Sequence, residues 1–204
     1  MKDFRGTWVF AVWTILLFFP QHAKADYSAD QFITISRGEF GGNQRIFPAK
    51  IFSQNKKLRV EIEMAGRLSI NIARGDLDPP VNWTLMPDEK MYMETAGKPG
   101  IPGPFSPGSA TGYEKVFLAK EPVAGIITNK FRLVWNDEDG KRQTGLAWEA
   151  VDLNNAPIRQ EFFNDKEHVL VQLANIKVLR LDSALFEIPA GYKKISAPPK
   201  LSEK

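Results

Sequence analysis

The chain has 204 residues, no cysteine and a formal net charge of +3. Lys2, Arg5 and Lys24, offset by Asp3, carry most of that excess. The remainder lacks the basic surplus that neutralises a phosphate backbone, so no nucleic-acid partner is expected. Without Cys there is no disulfide and no thiolate ligand, and stability has to come from core burial.

The first 25 residues read as a secretory leader. Lys2, Asp3 and Arg5 precede an apolar run from Trp8 to Phe19, then Pro20 and Ala23-Lys24-Ala25. That is a charged start, a short apolar core and a small-x-small cleavage site, with cleavage expected after Ala25. A run of about 12 residues is short of the roughly 20 that cross a bilayer as a helix. No later stretch is long and apolar enough, so no stable membrane span is expected after cleavage. A bacterial lipoprotein would need Cys where Asp26 stands. The expected location is therefore the periplasm.

Most of the chain beyond the leader alternates with period two. Phe32, Ile33 and Ile35 open a strand-like run. Leu58, Val60, Ile62 and Met64 alternate with Arg59, Glu61 and Glu63, and Leu68, Ile70 and Ile72 with Ser69 and Asn71. Val81, Trp83 and Leu85 alternate with Asn82, Thr84 and Met86. Phe131, Leu133 and Trp135 alternate with Arg132 and Val134; Val169, Val171 and Leu173 with Leu170 and Gln172. This pattern predicts antiparallel strands with one wet face. Turn signals stand between them at Gly41-Gly42-Asn43, Ser53-Gln54-Asn55, Asp88-Glu89-Lys90 and Asp137-Glu138-Asp139-Gly140. The one short-helix candidate is Asp182 to Phe186, capped by Asp182 or Ser183. Gly97 to Gly112 holds four prolines and five glycines, which predicts a long loop inside the domain. Its Ile101 and Phe105 are candidate lid contacts. Ser196 to Lys204 reads as a disordered tail.

Catalytic resources are thin. After leader removal one histidine remains, His168, in the polar stretch that begins at Asn164. Gly-x-Ser-x-Gly is absent, and one His without Cys cannot assemble the usual zinc sets. Glu61 and Glu63 share the wet face of a strand. Asp76 and Asp78 sit in a turn, where Arg74-Gly75-Asp76 is a chance-level match to an integrin tripeptide. Asp137, Asp139 and Gly140 lack the downstream Glu of a calcium loop and fit a hairpin turn. No catalytic residue, metal or cofactor is expected, and the chain reads as a non-enzyme. The stronger signal is apolar. Trp83, Trp135 and Trp148 occupy separate strands, and Met86, Met91 and Met93 flank the central hairpin. Such residues fill cores or line adaptable apolar grooves.

Four stretches taken in order resemble a known family. They are Trp83-Thr84-Leu85-Met86-Pro87-Asp88-Glu89-Lys90-Met91-Tyr92-Met93-Glu94; Glu121-Pro122-Val123-Ala124-Gly125 with Thr128-Asn129-Lys130-Phe131; Ala156-Pro157-Ile158-Arg159; and Leu185-Phe186-Glu187-Ile188-Pro189-Ala190-Gly191-Tyr192. Together, over roughly 46–194, they resemble a branch of the outer-membrane lipoprotein carrier superfamily (LolA/LolB-like). The resemblance implies a mainly β fold over 26–195: one curved antiparallel sheet forming a half-open barrel, with few or no long helices, whose concave face takes up acyl chains. Phe186 to Pro189 reads as a short edge strand. Two departures stand out. Asp26 to Ser36 runs into a strand where carriers begin with an amphipathic helix. Ser53-Gln54-Asn55 stands where they carry an Arg-Pro pair.

The expected function is a periplasmic binding protein for a lipid acyl chain or a lipoprotein. Leu58, Val60, Ile62, Trp83, Leu85, Phe131, Leu133 and Trp135 are the candidate groove lining, with Ile101 and Phe105 as a cover. The alternative is a non-catalytic envelope scaffold with a closed dry core and a protein partner. Alternation says which residues share a face of one strand; it does not say which face of each strand is concave.

Overall fold

The computed structural model describes residues 26–37, 43–96, 114–136, 140–153, 155–163 and 167–196. The expected leader, the lid residues Ile101 and Phe105, and the tail beyond Ser196 lie outside them. Twelve strands form: β1 (Tyr27–Arg37), β2 (Asn43–Gln54), β3 (Lys57–Met64), β4 (Arg67–Arg74), β5 (Val81–Met86), β6 (Met91–Ala96), β7 (Glu114–Val123), β8 (Ile126–Asn136), β9 (Arg142–Ala150), β10 (Ala156–Phe163), β11 (Glu167–Val178) and β12 (Lys193–Ile195). They make one sheet in the order β12-β6-β5-β4-β3-β2-β1-β11-β10-β9-β8-β7. Every pairing is antiparallel except β12 on β6. The sheet curves without closing, because β12 and β7 end it unpaired to each other. The mainly β, half-open sheet, with no long helix among the described residues, is as the sequence and its family resemblance implied.

Local chemistry sets the hairpins. Ala124 and Gly125 both take positive φ, 49° and 81°, which matches a two-residue turn to the twist of β7 and β8. Asp182 accepts from the Ala184 N–H at 2.9 Å and starts a single 3-10 turn, Ser183–Phe186.

Directly opposed residues in a ladder share a face. Ile33 lies opposite Phe47 and Val171, Ile51 opposite Val60, and Leu133 opposite Gly145. These residues form the inner face. Ile33, Ile51, Val169 and Leu133 are buried, although among the described residues no second sheet lies over them and the one helical turn on this side, Val151–Leu153, only adds Leu153 to the cluster that holds Ile51. Burial without a covering layer requires the sheet to wrap round this side. Gly145 lets it wrap tightly: a Cβ there would stand 2.8 Å from the Glu161 carbonyl oxygen and 3.0 Å from a Phe162 ring carbon. Across that bare position the Phe162 ring meets Trp135 edge-on, centroids 5.8 Å apart.

The apolar face changes sides between β3 and β4. Val60 is opposite Asn71, so Ile70 and Ile72 project outward, joined by Leu85 and Trp83 opposite them on β5. The chain covers this outer patch itself. After β11, Leu181, Leu185, Phe186, Ile188 and Tyr192 pack across it, with Phe186 fully buried. Three strands hold this strap by its carbonyls. Gln54 Nε2 donates to Leu181 O at 3.0 Å, Arg59 to Leu185 O at 2.8 Å and Arg74 to Phe186 O at 3.2 Å. The strap then supplies β12, which pairs with β6 from Lys193 to Ile195. The edge strand expected at Phe186 to Pro189 is therefore displaced to Lys193–Ile195. Phe186 anchors the strap in the outer core, and residues 187–192 lead to the edge.

Arg74 is buried and forks onto Asp76, at 2.8 and 2.9 Å. The Asp76 carboxyl is held below the usual carboxylate range chiefly by these hydrogen bonds. Unfolding restores its ordinary value, so the pair's contribution is complete above the ordinary range and is lost as pH falls through the depressed folded value. Below about pH 4, Asp76→Asn is expected to flatten the pH dependence of the urea midpoint relative to wild type; parallel curves would refute this. Phe186→Ala is expected to lower unfolding stability by about 3–5 kcal/mol in urea melts. Gly145→Ala is expected to cost about 1–3 kcal/mol by overpacking.

Candidate functional site

The inner face is the one large apolar surface the described sheet curves around. Near the start of β1 it is filled by its own side chains: Tyr27, Ala29, Ile51, Val60, Ile158 and Leu173 are all buried. Towards the other end the lining opens. Ile35, Phe47, Ile62, Phe131, Trp135 and Val171 are only half-buried against the core of Ile33, Leu133, Phe162 and Val169. Phe117 on edge strand β7, opposite Phe131, is 54% exposed and meets that ring edge-on, centroids 5.8 Å apart. The open stretch is thus a band of aliphatic and aromatic side chains ending at a free edge. Two ion pairs border it. Beyond Ile35 and Val169, Arg37 Nε donates to Glu167 at 2.6 Å; Lys115 Nζ holds both Glu149 carboxylate oxygens at 2.7 Å and lies 4.1 Å from the centre of the Phe131 ring.

Six of the eight candidate lining residues share this face. Leu58, Val60 and Ile62 come from β3, and Phe131, Leu133 and Trp135 from β8. Val60 and Leu133 are buried among protein side chains; the other four are partly open. Trp83 and Leu85 lie on the opposite face, beneath the strap, where Leu85 has no exposed surface. The register explains the division, because β5 inherits its outward apolar face from β4. Ile35, Phe47, Phe117 and Val171 belong to the band and were absent from the candidate set. Phe47 and Phe117 sit beside Ile46 and Leu118, and a neighbouring apolar pair erases the alternation that would have assigned them a face.

The third strand tryptophan also faces outward. Trp148 stacks between Lys130 and Arg159, which lie opposite it on β8 and β10, 4.8 and 4.9 Å from its ring. Its indole N–H donates to Glu121, which also pairs with Lys130 at 3.3 Å. These contacts, the Trp148 hydrogen bond first, hold the Glu121 carboxyl below its usual range. With Leu146, Glu161 and Gln172 they line an open depression of about 520 Å³ on the outer face. Both indole faces and all four charges are already engaged, so the cluster is a self-satisfied brace.

The remaining candidate chemistry is dispersed. His168 stacks on Phe163, 4.7 Å between centroids, and its Nε2 is 3.9 Å from Glu161. Glu61 pairs with Arg59 of its own strand at 2.7 Å. Asp137 and Asp139 lie outside the described residues. Among the described residues, no three His, Cys, Asp or Glu side chains are grouped to hold a metal. No described helix is long and apolar enough to cross a membrane.

No family model and no curated protein sequence matches the chain. Solved structures do resemble it. PNGF-II superposes with a TM-score of 0.53 at 11% identity, over 85% of this chain and 31% of that one. An uncharacterized conserved protein from Thermus thermophilus gives 0.49 at 11% identity, covering 86% and 93%. A LolA superfamily protein from Nitrosomonas europaea gives 0.41 at 11% identity, covering 80% and 90%. At 11% identity the likeness to PNGF-II is one of fold.

Proposed function

We propose that this protein is a periplasmic carrier, released by leader cleavage after Ala25, that takes up an acyl chain of a lipid or lipoprotein on its inner face. The observation that carries this reading is the half-exposed apolar band from Phe47 and Ile62 to Phe131, Trp135 and Phe117, on the inside of a sheet that does not close. A soluble protein seldom leaves such a surface to water without a use for it. Each acyl methylene moved there from water contributes about 0.8 kcal/mol, so one chain supplies a large driving force without any directional bond. Directional chemistry is sparse, which suits a carrier better than an enzyme. The sequence resemblance points the same way.

A second reading draws on the filled end of the inner face. There Ile51, Val60, Ile158 and Leu173 bury one another. If the open band were shielded in the same way, the sheet would be a closed scaffold that meets an envelope protein through its loops.

Native mass spectrometry of the protein purified from the periplasm, followed by organic extraction, separates the two. The carrier reading expects lipid in roughly one-to-one amount. It also expects Phe117→Asp to remove that lipid while leaving the thermal melt near wild type, because an exposed side chain contributes little to folding. An empty protein that ignores added phospholipid and fatty acid would establish the scaffold reading instead.

A further inference from the structure

The change of apolar face at β4 has a second effect, on the inside of the sheet. Where β1–β3 and β8–β11 turn apolar side chains inward, β4–β6 turn in Ser69, Asn71, Asn82, Thr84 and Thr95. The first four are half-buried. Thr84 Oγ1 donates to Asn71 Oδ1 at 2.9 Å, so the two N–H donors of Asn71 are not engaged by a described side chain. Met86, Met91 and Met93 complete the surface. Met86 and Met91 are directly opposed, and all three are half-buried. The inner surface therefore has two arcs: one aliphatic and aromatic, the other of amides, hydroxyls and thioethers.

Resting on the acyl-chain reading above, we propose that the β4–β6 arc receives the headgroup of the bound amphiphile, and that this headgroup is uncharged and rich in hydroxyl groups. Amides and hydroxyls both donate and accept, which matches a polyol. A phosphate would instead need fixed cations to repay its desolvation. The central rows of the arc carry none. The nearest inward charges are at its margins: Arg67 begins β4 and pairs loosely with Glu89 at 3.8 Å, and Lys193 lies opposite Met91 on β12. The methionines suit a ligand of variable shape, because their unbranched thioethers repack readily.

The test uses delipidated full-length mature protein and two probes with identical acyl chains, monoglucosyl diacylglycerol and phosphatidylglycerol, titrated by native mass spectrometry. Wild type is expected to prefer the glucosyl lipid by about tenfold, the scale of one or two well-made hydrogen bonds. Asn71→Leu with Thr84→Val should bring the two affinities within about twofold by weakening only the glucosyl lipid. Thr84→Val alone keeps the side-chain shape and should give an intermediate ratio if the double variant folds poorly. Asn71→Lys should turn the preference towards phosphatidylglycerol. Equal binding by wild type, or a preference that survives the double variant, overturns the headgroup assignment and leaves the acyl-chain reading standing. Failure of wild type to bind either probe overturns both.

Discussion

A single register, Val60 opposite Asn71, governs the rest of this structure. Opposed residues share a face, so this pairing sends the apolar side chains of β4 to the other side of the sheet from those of β3. A slip of one residue would restore a uniformly apolar interior and bare the outer face of β4 and β5 to water. As built, that outer face carries Ile70, Ile72, Trp83 and Leu85, which must be hidden. The strap exists to hide them, and its carbonyls, lying over side chains rather than strands, must find donors. Gln54, Arg59 and Arg74 supply these from three successive strands. The same segment then reaches the far edge and closes it with β12.

The sheet thus has two unequal ends. The β6 edge is covered by the chain's own C-terminal strand. The β7 edge is open, and it is guarded in other ways: a register shift between Phe117 and Ala119, lysines at 115 and 120, and Pro122, which has no N–H to offer a neighbour. Phe117 and Leu118 are the exceptions on that edge, both exposed, and the Phe117 ring borders the half-buried inner band, which is why it serves to test the proposed ligand uptake.

Much of the fold was legible from alternation. The runs at 58–64, 68–72, 81–86, 131–135 and 169–173 are strands, the turn at Asp88 to Lys90 connects a hairpin, and Asp182 caps its turn. Part of the inner face was legible too, since Leu58, Val60 and Ile62 do share it with Phe131, Leu133 and Trp135. What alternation cannot carry is the phase between strands. Trp83 and Leu85 alternate as cleanly as Val60 and Ile62, yet they point the other way, because phase is set by hairpin length and pairing partners far along the chain. The strap was hidden for a related reason. Leu181, Leu185, Ile188 and Tyr192 stand at helical spacing, yet Pro189 and Gly191 break any helix after one turn, and the segment is spread over a surface made by residues about a hundred positions earlier.

The pairing of β1 with β11 has a consequence for how the molecule comes to be. It joins Tyr27 to Val178 at the centre of the sheet, and β12 joins Lys193 to Met91 at its rim. β1 cannot pair with β11 until residues 167–178 exist, and the β6 edge waits for residues 193–195. Such long closures are slow. The other nine of the eleven strand pairings join consecutive strands and can form hairpin by hairpin, so the sheet grows as two local meanders that these two closures bring together last.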